Sequence, residues 1–281
     1  MVDLQDWVGR TETAEDVLTA RLVHEFNATF DRPTDAALLG IHWCLAPPVA
    51  PAAALGPDGH AARGGFLPPV ALPRRMWAGG ALTFHDALQV DDPITRHSRI
   101  AGVAMKRGRT GALCFVTVDH EIRTPRGLGV TERQDIVYRE AATGPAEAPA
   151  AFSGTAPQWR QEMRAGPVLL FRYSALTFNG HRIHYDRNYA VAVEHYAGLV
   201  VHGPLQATLL LNFAAQCAGE RPRSFTFRGV SPLIDSENFR LNARSTDAGL
   251  ALWAETDTGR RTMQAQAEFG TSAKTFRTGS V

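Results

Sequence analysis

Histidine concentrates the proton-transfer chemistry of this sequence. Four of its ten histidines, His181, His184, His195 and His202, fall within residues 181–202. The first two lie in Thr177-Phe-Asn-Gly-His-Arg-Ile-His-Tyr-Asp186, which also carries Asn179 and Asp186. Near neutral pH, imidazole is the side chain best poised to give and take protons. Asn179 can hold a water or a carbonyl by hydrogen bonds. Asp186 can orient an imidazole or cap a short helix after the loop. The plainer reading is a polar loop whose histidines bond to backbone. A little further on, Val201-His-Gly-Pro204 opens an apolar helix. A helix N-terminus carries orphan N–H groups and the positive end of the macrodipole, and Gly203 lets a substrate approach the backbone. A proton-transfer group beside an oxyanion donor is what enolate chemistry on a thioester carbonyl needs.

Other chemistries have less support. His181 and His184 are spaced H-x-x-H, which is not the i, i+4 spacing of zinc proteases. No Cys-x-x-Cys or His-Glu-x-x-His accompanies them, so no metal is expected. There is no Gly-x-Ser-x-Gly elbow, no Gly-x-Gly-x-x-Gly and no P-loop. Lys+Arg is 29 and Asp+Glu is 28, a balance that argues against a dedicated nucleic-acid binder. No apolar run reaches the roughly 20 residues of a membrane helix, and the first residues do not read as a signal peptide. Cys44, Cys114 and Cys217 lie far apart among apolar neighbours and read as buried thiols in a reducing compartment. A cytoplasmic globular protein with no nucleic-acid or membrane partner is expected.

The positioning elements follow from pattern. Pro204 to Ala218 is apolar on nearly every face, with Gly203 as the expected cap and Gly219 as the stop. Such a helix is buried all round, as if wrapped by a curled antiparallel sheet. A second helix is expected over Thr13 to Phe30, capped by Thr13, with Val17, Leu18, Leu22, Phe26 and Phe30 on one stripe. Seven of the 17 prolines fall between Ala46 and Pro73. That density breaks both helix and ladder, so a long ordered loop is expected there. The halves also look alike. Ala81-Leu-Thr-Phe-His-Asp86 parallels Ser224-Phe-Thr-Phe-Arg-Gly229, and Gly111-Ala-Leu-Cys-Phe-Val116 parallels Gly249-Leu-Ala-Leu-Trp-Ala254. Loops bearing Asp91-Asp92 and Asp235 follow the first pair. A duplicated unit is expected: residues 1–140, a linker over 141–158, and residues 159–281.

Thr177 to Ala190 with Gly198 to Leu205 resembles the MaoC-like hydratase/dehydratase family. Phe66-Leu-Pro-Pro and Leu72 to Gly80 resemble its two-hotdog branch, which includes mesaconyl-C4-CoA (itaconyl-CoA) hydratases and mitochondrial-type 3-hydroxyacyl thioester dehydratases. The resemblance implies an α+β double hotdog, with a catalytic second half and a first half that shapes the acyl pocket. The family motif Asp-x-Asn-x-x-His falls on Asn179, His181 and His184. His184 matches the catalytic histidine and Gly203 the oxyanion glycine, while Asn179 replaces the motif's aspartate. The implied reaction is reversible addition of water to an enoyl-CoA, with mesaconyl-C4-CoA/itaconyl-CoA giving citramalyl-CoA in itaconate degradation. His181 and Asp186 are further acid–base or orienting candidates. Arg75, Trp77, Arg182 and His202 are candidates for substrate binding. The free carboxylate of a C5 substrate wants an arginine, for which Arg74, Arg75 and Arg182 are available. No cofactor is implied beyond the CoA of the substrate, and the chain is expected as a monomer or homodimer. The alternatives are a fatty-acyl 3-hydroxyacyl-CoA or carrier-protein dehydratase, and a non-catalytic acyl-CoA binding protein, which the Asn179 exchange keeps open. A hotdog thioesterase fits less well, because Pro204 to Ala218 carries no carboxylate.

Overall fold

Alternating burial along the strands builds one antiparallel sheet with a concave apolar side. The computed structural model describes residues 3–32, 36–108, 111–141 and 156–270. The first half contains β1 (Thr11–Val17), α1 (Ala20–Thr29), β2 (Arg74–Phe84), β3 (Pro93–Gly108), β4 (Gly111–Thr124) and β5 (Gly127–Arg139). The second contains β6 (Trp159–Arg164), α2 (Pro167–Leu176), α3 (Arg187–Ala192), α4 (Gly203–Ala218), β7 (Ser224–Gly229), β8 (Asn238–Thr246), β9 (Gly249–Thr256) and β10 (Arg261–Glu268). The strand order is β1-β3-β4-β5-β2-β7-β10-β9-β8-β6. Read outward from the β2–β7 seam, the two halves have the same order. The paired sequence stretches occupy matching places: β2 and β7 meet at the seam, with Ala81 opposite Thr226, and β4 and β9 sit at the same remove from it. The two acidic loops match as well. Asp92 is ion-paired to Arg126 and Asp235 to Arg187, each at 2.5 Å.

α4 fills the concave side of the second half, against β2, β7, β8, β9 and β10. Leu205, Leu210 and Leu211 are fully buried, each stabilising the fold by about 1.5–3 kcal/mol. Gly219 ends the helix in the left-handed conformation (φ 75°). The cap is His202 rather than Gly203, which is the first helical residue. α1 and α2 are counterparts in the two halves. The first half has no counterpart to α4 among the described residues. In that slot lie the proline-rich segment and two short 3-10 turns, Ile41–Cys44 and Ala52–Ala54.

The helix expected over Thr13 to Phe30 is two elements. Thr11–Val17 is a strand paired along its length with β3, from Thr11 opposite Arg99 to Val17 opposite Pro93. Val17 is exposed, whereas Leu18 enters the core. The helix begins only after Thr19, whose hydroxyl accepts from the Leu22 N–H (3.1 Å). The apparent apolar stripe joined the end of a strand to the start of a helix. Residues 142–155, most of the expected linker, lie outside the described residues. The three cysteines are free and buried. Among the described residues, no helix is long and apolar enough to cross a membrane.

Candidate active site

The loop that follows α2 turns because Phe178 is left-handed (φ 49°). Asn179 Oδ1 then accepts the His181 N–H (3.0 Å), which leads the chain into the 3-10 turn Arg182–His184. Asp186 caps α3: Oδ1 accepts from the Tyr189 N–H (3.0 Å) and Oδ2 from Arg182 Nη2 (2.8 Å). Both carboxylate oxygens are therefore engaged with the helix and with Arg182. The Arg182 guanidinium also lies 4.1 Å from the Tyr189 ring centre.

His184 is held from the far side of the loop. Its Nδ1 lies 2.7 Å from the Val200 carbonyl. A carbonyl only accepts, so Nδ1 carries the proton and Nε2 keeps its lone pair. Asp235 aligns that carbonyl, since its Oδ1 accepts from the Leu199 N–H (3.0 Å) and its own N–H donates to the Leu199 oxygen (2.9 Å). His184 is buried, and burial pushes its pKa down to about 4 against the opposing pull of the Val200 bond. A neutral imidazole held in this way can accept a proton at Nε2.

His202 stacks on His184, with ring centres 3.6 Å apart, and its Nε2 is 2.8 Å from the Ser174 hydroxyl. His202 is also the cap of α4, so the residue stacked on His184 is followed directly by Gly203, the first residue of the helix. The Gly203 N–H is one of the orphan donors of the helix start. On its other side runs β2: a Cβ on Gly203 would lie 3.6 Å from the Trp77 carbonyl oxygen. The Trp77 ring meets Trp43 and Phe227 edge-on at 5.3 and 5.9 Å, making an aromatic wall. His181 stands perpendicular to His184 at 5.3 Å. Burial, with the neighbouring His60 and His184, pushes the His181 pKa down to about 2.

His181, His184, His202, Gly203 and Trp77 thus come together, and Asn179 joins them through the His181 backbone. His195 is left out, exposed at a left-handed residue (φ 59°). Of the three arginines, Arg74 pairs with Glu194 (2.8 Å) and Arg182 with Asp186. Arg75 makes no ion pair among the described residues, and it lines a narrow cleft with Asp58, Met76, His181, Ile183 and Tyr196. Two residues of the cluster went unread in the sequence, Asp58 and His60. They come from the proline-rich segment of the first half, and the His60 ring centre lies 4.1 Å from that of His181. One ligand-type atom from each of Asp58, His60 and His181 lies within 4.8 Å of the others. The only local signal is an Asp-Gly-His turn inside a stretch otherwise rich in proline and alanine.

The fold and this site define a class. A MaoC-like dehydratase from Phytophthora capsici superposes with a TM-score of 0.74 at 13% identity, over 97% of this chain and 99% of that one. A double-hotdog protein from Mycobacterium tuberculosis superposes with a TM-score of 0.53 at 13% identity, over 92% and 95% of the two chains. The fold is a double hotdog. In sequence, the hydroxyacyl-thioester dehydratase type 2 family matches residues 40–235. A mesaconyl-C4-CoA hydratase from Chloroflexus aurantiacus is 41% identical over 275 residues, 95% of this chain and 98% of that protein. The chain belongs to the hydroxyacyl-thioester dehydratase type 2 family and is an enzyme of the hydro-lyase type.

Proposed function

We propose that this enzyme reversibly hydrates a branched C5 dicarboxylyl enoyl thioester, mesaconyl-C4-CoA, to citramalyl-CoA. The observation that carries the reading is His184, a buried neutral imidazole with Nδ1–H fixed on Val200 and Nε2 free beside the start of α4. The thioester carbonyl accepts from the Gly203 N–H. Water is held between His184 Nε2 and the Asn179 amide, whose Oδ1 is already engaged by the His181 N–H. His184 removes a proton as the water oxygen bonds to the β-carbon, and the electron pair moves onto the enolate that Gly203 stabilises. A proton returned to the α-carbon completes the addition. CoA enters as part of the substrate.

The choice of acyl group rests on Arg75, the one of the three candidate arginines without an ion pair among the described residues. The relative at 41% identity, named for the same substrate, supports it. The test is a hydration assay on mesaconyl-C4-CoA, itaconyl-CoA, crotonyl-CoA and a long-chain enoyl-CoA. The C5 thioesters are turned over fastest, and Arg75→Ala slows them at least tenfold more than crotonyl-CoA, about what a charge-assisted hydrogen bond contributes. A preference for straight chains, or equal losses in the variant, overturns the C5 assignment.

A further inference from the structure

The first half brings a carboxylate to the histidines at the place where Asn179 has removed one. Residues 56–60 of the proline-rich segment lie directly on the loop after α2. Gly59 is left-handed (φ 87°), and a Cβ there would stand 1.9 Å from the Gly180 carbonyl oxygen. A Cβ on Gly180 would stand 2.7 Å from the Gly59 oxygen, so the two backbones approach only because both residues are glycine. Arg182 ties the segments together, its N–H donating to the Asp58 carbonyl (2.9 Å) and its Nη1 to the Pro57 carbonyl (3.0 Å). Asp58 then accepts from the His60 N–H at Oδ1 (3.1 Å) and from His60 Nδ1 at Oδ2 (2.9 Å). The ionised carboxylate only accepts, so His60 Nδ1 carries its proton and Nε2 is free.

The result is a row of four imidazoles with a carboxylate at one end. The ring centres are 4.1 Å apart from His60 to His181, 5.3 Å from His181 to His184 and 3.6 Å from His184 to His202. Burial pushes the Asp58 carboxyl up, but the bonds and charge from His60 outweigh it and keep the group ionised. Burial lowers the pKa of His60, the Arg75 and Arg63 cations lower it further, and Asp58 opposes them.

We propose that Asp58 and His60 position His181 against the His184 base, supplying from the first half a carboxylate that Asn179 lacks. They are positioning residues that act through His181, and the role rests on the hydratase reading above. The proton that His184 Nε2 takes from water is returned from the same nitrogen to the α-carbon, while His181, held by the Asp58–His60 pair, keeps the His184 ring in place. One O–H bond of water breaks, a C–O bond forms at the β-carbon and a C–H bond forms at the α-carbon. The π pair of the alkene passes through the enolate, and all four side chains end as they began. A cation held by Asp58, His60 and His181 is disfavoured by the Arg75 charge beside both histidines and by the hydrogen bond already spanning Asp58 and His60.

The test uses the whole enzyme and mesaconyl-C4-CoA, with circular dichroism as the check on folding. His60→Ala loses roughly 100-fold in kcat, within the range of positioned acid–base groups. Imidazole added to the buffer restores at least tenfold of that loss, because the His60 side chain is partly open to solvent. Asp58→Asn, which keeps the shape, loses roughly tenfold. The acid limb of the kcat/KM pH profile moves to higher pH in His60→Ala, because the neighbouring imidazole no longer opposes protonation of His184. Rates within threefold of wild type in both variants overturn the positioning role, as does a loss that imidazole does not rescue with an unchanged pH profile. Inactivation by a chelator with recovery on adding zinc overturns it in favour of a metal site. A wild type inert on every enoyl thioester instead removes the hydratase reading itself, and the positioning role with it.

Discussion

The two halves of this chain share a strand order and a first helix, α1 or α2, and then diverge. The second half builds α4, whose cap His202 stacks on His184. The first half fills the same slot with the proline-rich segment, which carries Asp58 and His60 across to the other half's loop. In the proposed mechanism one helix start is enough to hold the oxyanion. The second copy of the slot is then free to complete the site from the opposite side.

The first half also has its own buried imidazole. Burial, with the nearby His120, pushes the His42 pKa down to about 3, as far from its ordinary value as the site histidines. His42 packs beneath Trp43, 3.7 Å from Glu132, and faces no helix start. A depressed histidine pKa therefore marks burial, and the proposed base differs from His42 in its Nδ1–H fixed on Val200 and its stacking on the cap of α4.

That contrast breaks if the two histidines behave alike on substitution. His184→Ala loses roughly 100- to 10,000-fold in hydration rate. His42→Gln costs stability but leaves kcat within threefold of wild type. Equal catalytic losses, measured on folded protein of known melting temperature, erase the difference between the halves.

A smaller effect sharpens it. Burial pushes the Glu132 carboxyl up to about 7, against the Trp43 hydrogen bond and the Arg96 charge. A folded-state pKa above the unfolded value means stability that is full below about pH 4.5 and lost as pH rises towards 7. Glu132→Gln keeps a hydrogen-bond acceptor for Trp43 and removes that loss. Its melting temperature exceeds wild type at pH 8, by up to about 3 kcal/mol in stability, and matches it near pH 4.5. A variant destabilised equally at both pH values contradicts the assignment of Glu132 as a buried acid.

The elements around the second half of the site were legible because their boundaries are chemical. Gly203-Pro204 and Gly219 bracket α4, and the alternation from Ser224 and Gly249 marks strands. The β1–α1 boundary was not, because Val17, Leu18 and Leu22 match a helical stripe although Val17 belongs to an exposed strand edge. Asp58 and His60 were hidden for a different reason. Their contact joins residues as far as 125 positions apart in the chain, and it depends on two facing glycines rather than on any periodic pattern.

The proposed chemistry turns on His184 being neutral with its proton on Nδ1. The most direct measurement is the 15N NMR of uniformly labelled histidine, with His184 assigned by comparison with His184→Gln, followed from pH 8 down to pH 4. The expected spectrum has a protonated Nδ1 and an unprotonated Nε2 at pH 7, with the ring gaining its second proton only near pH 4. A ring already charged at pH 7, or a proton on Nε2 in the neutral form, would contradict it.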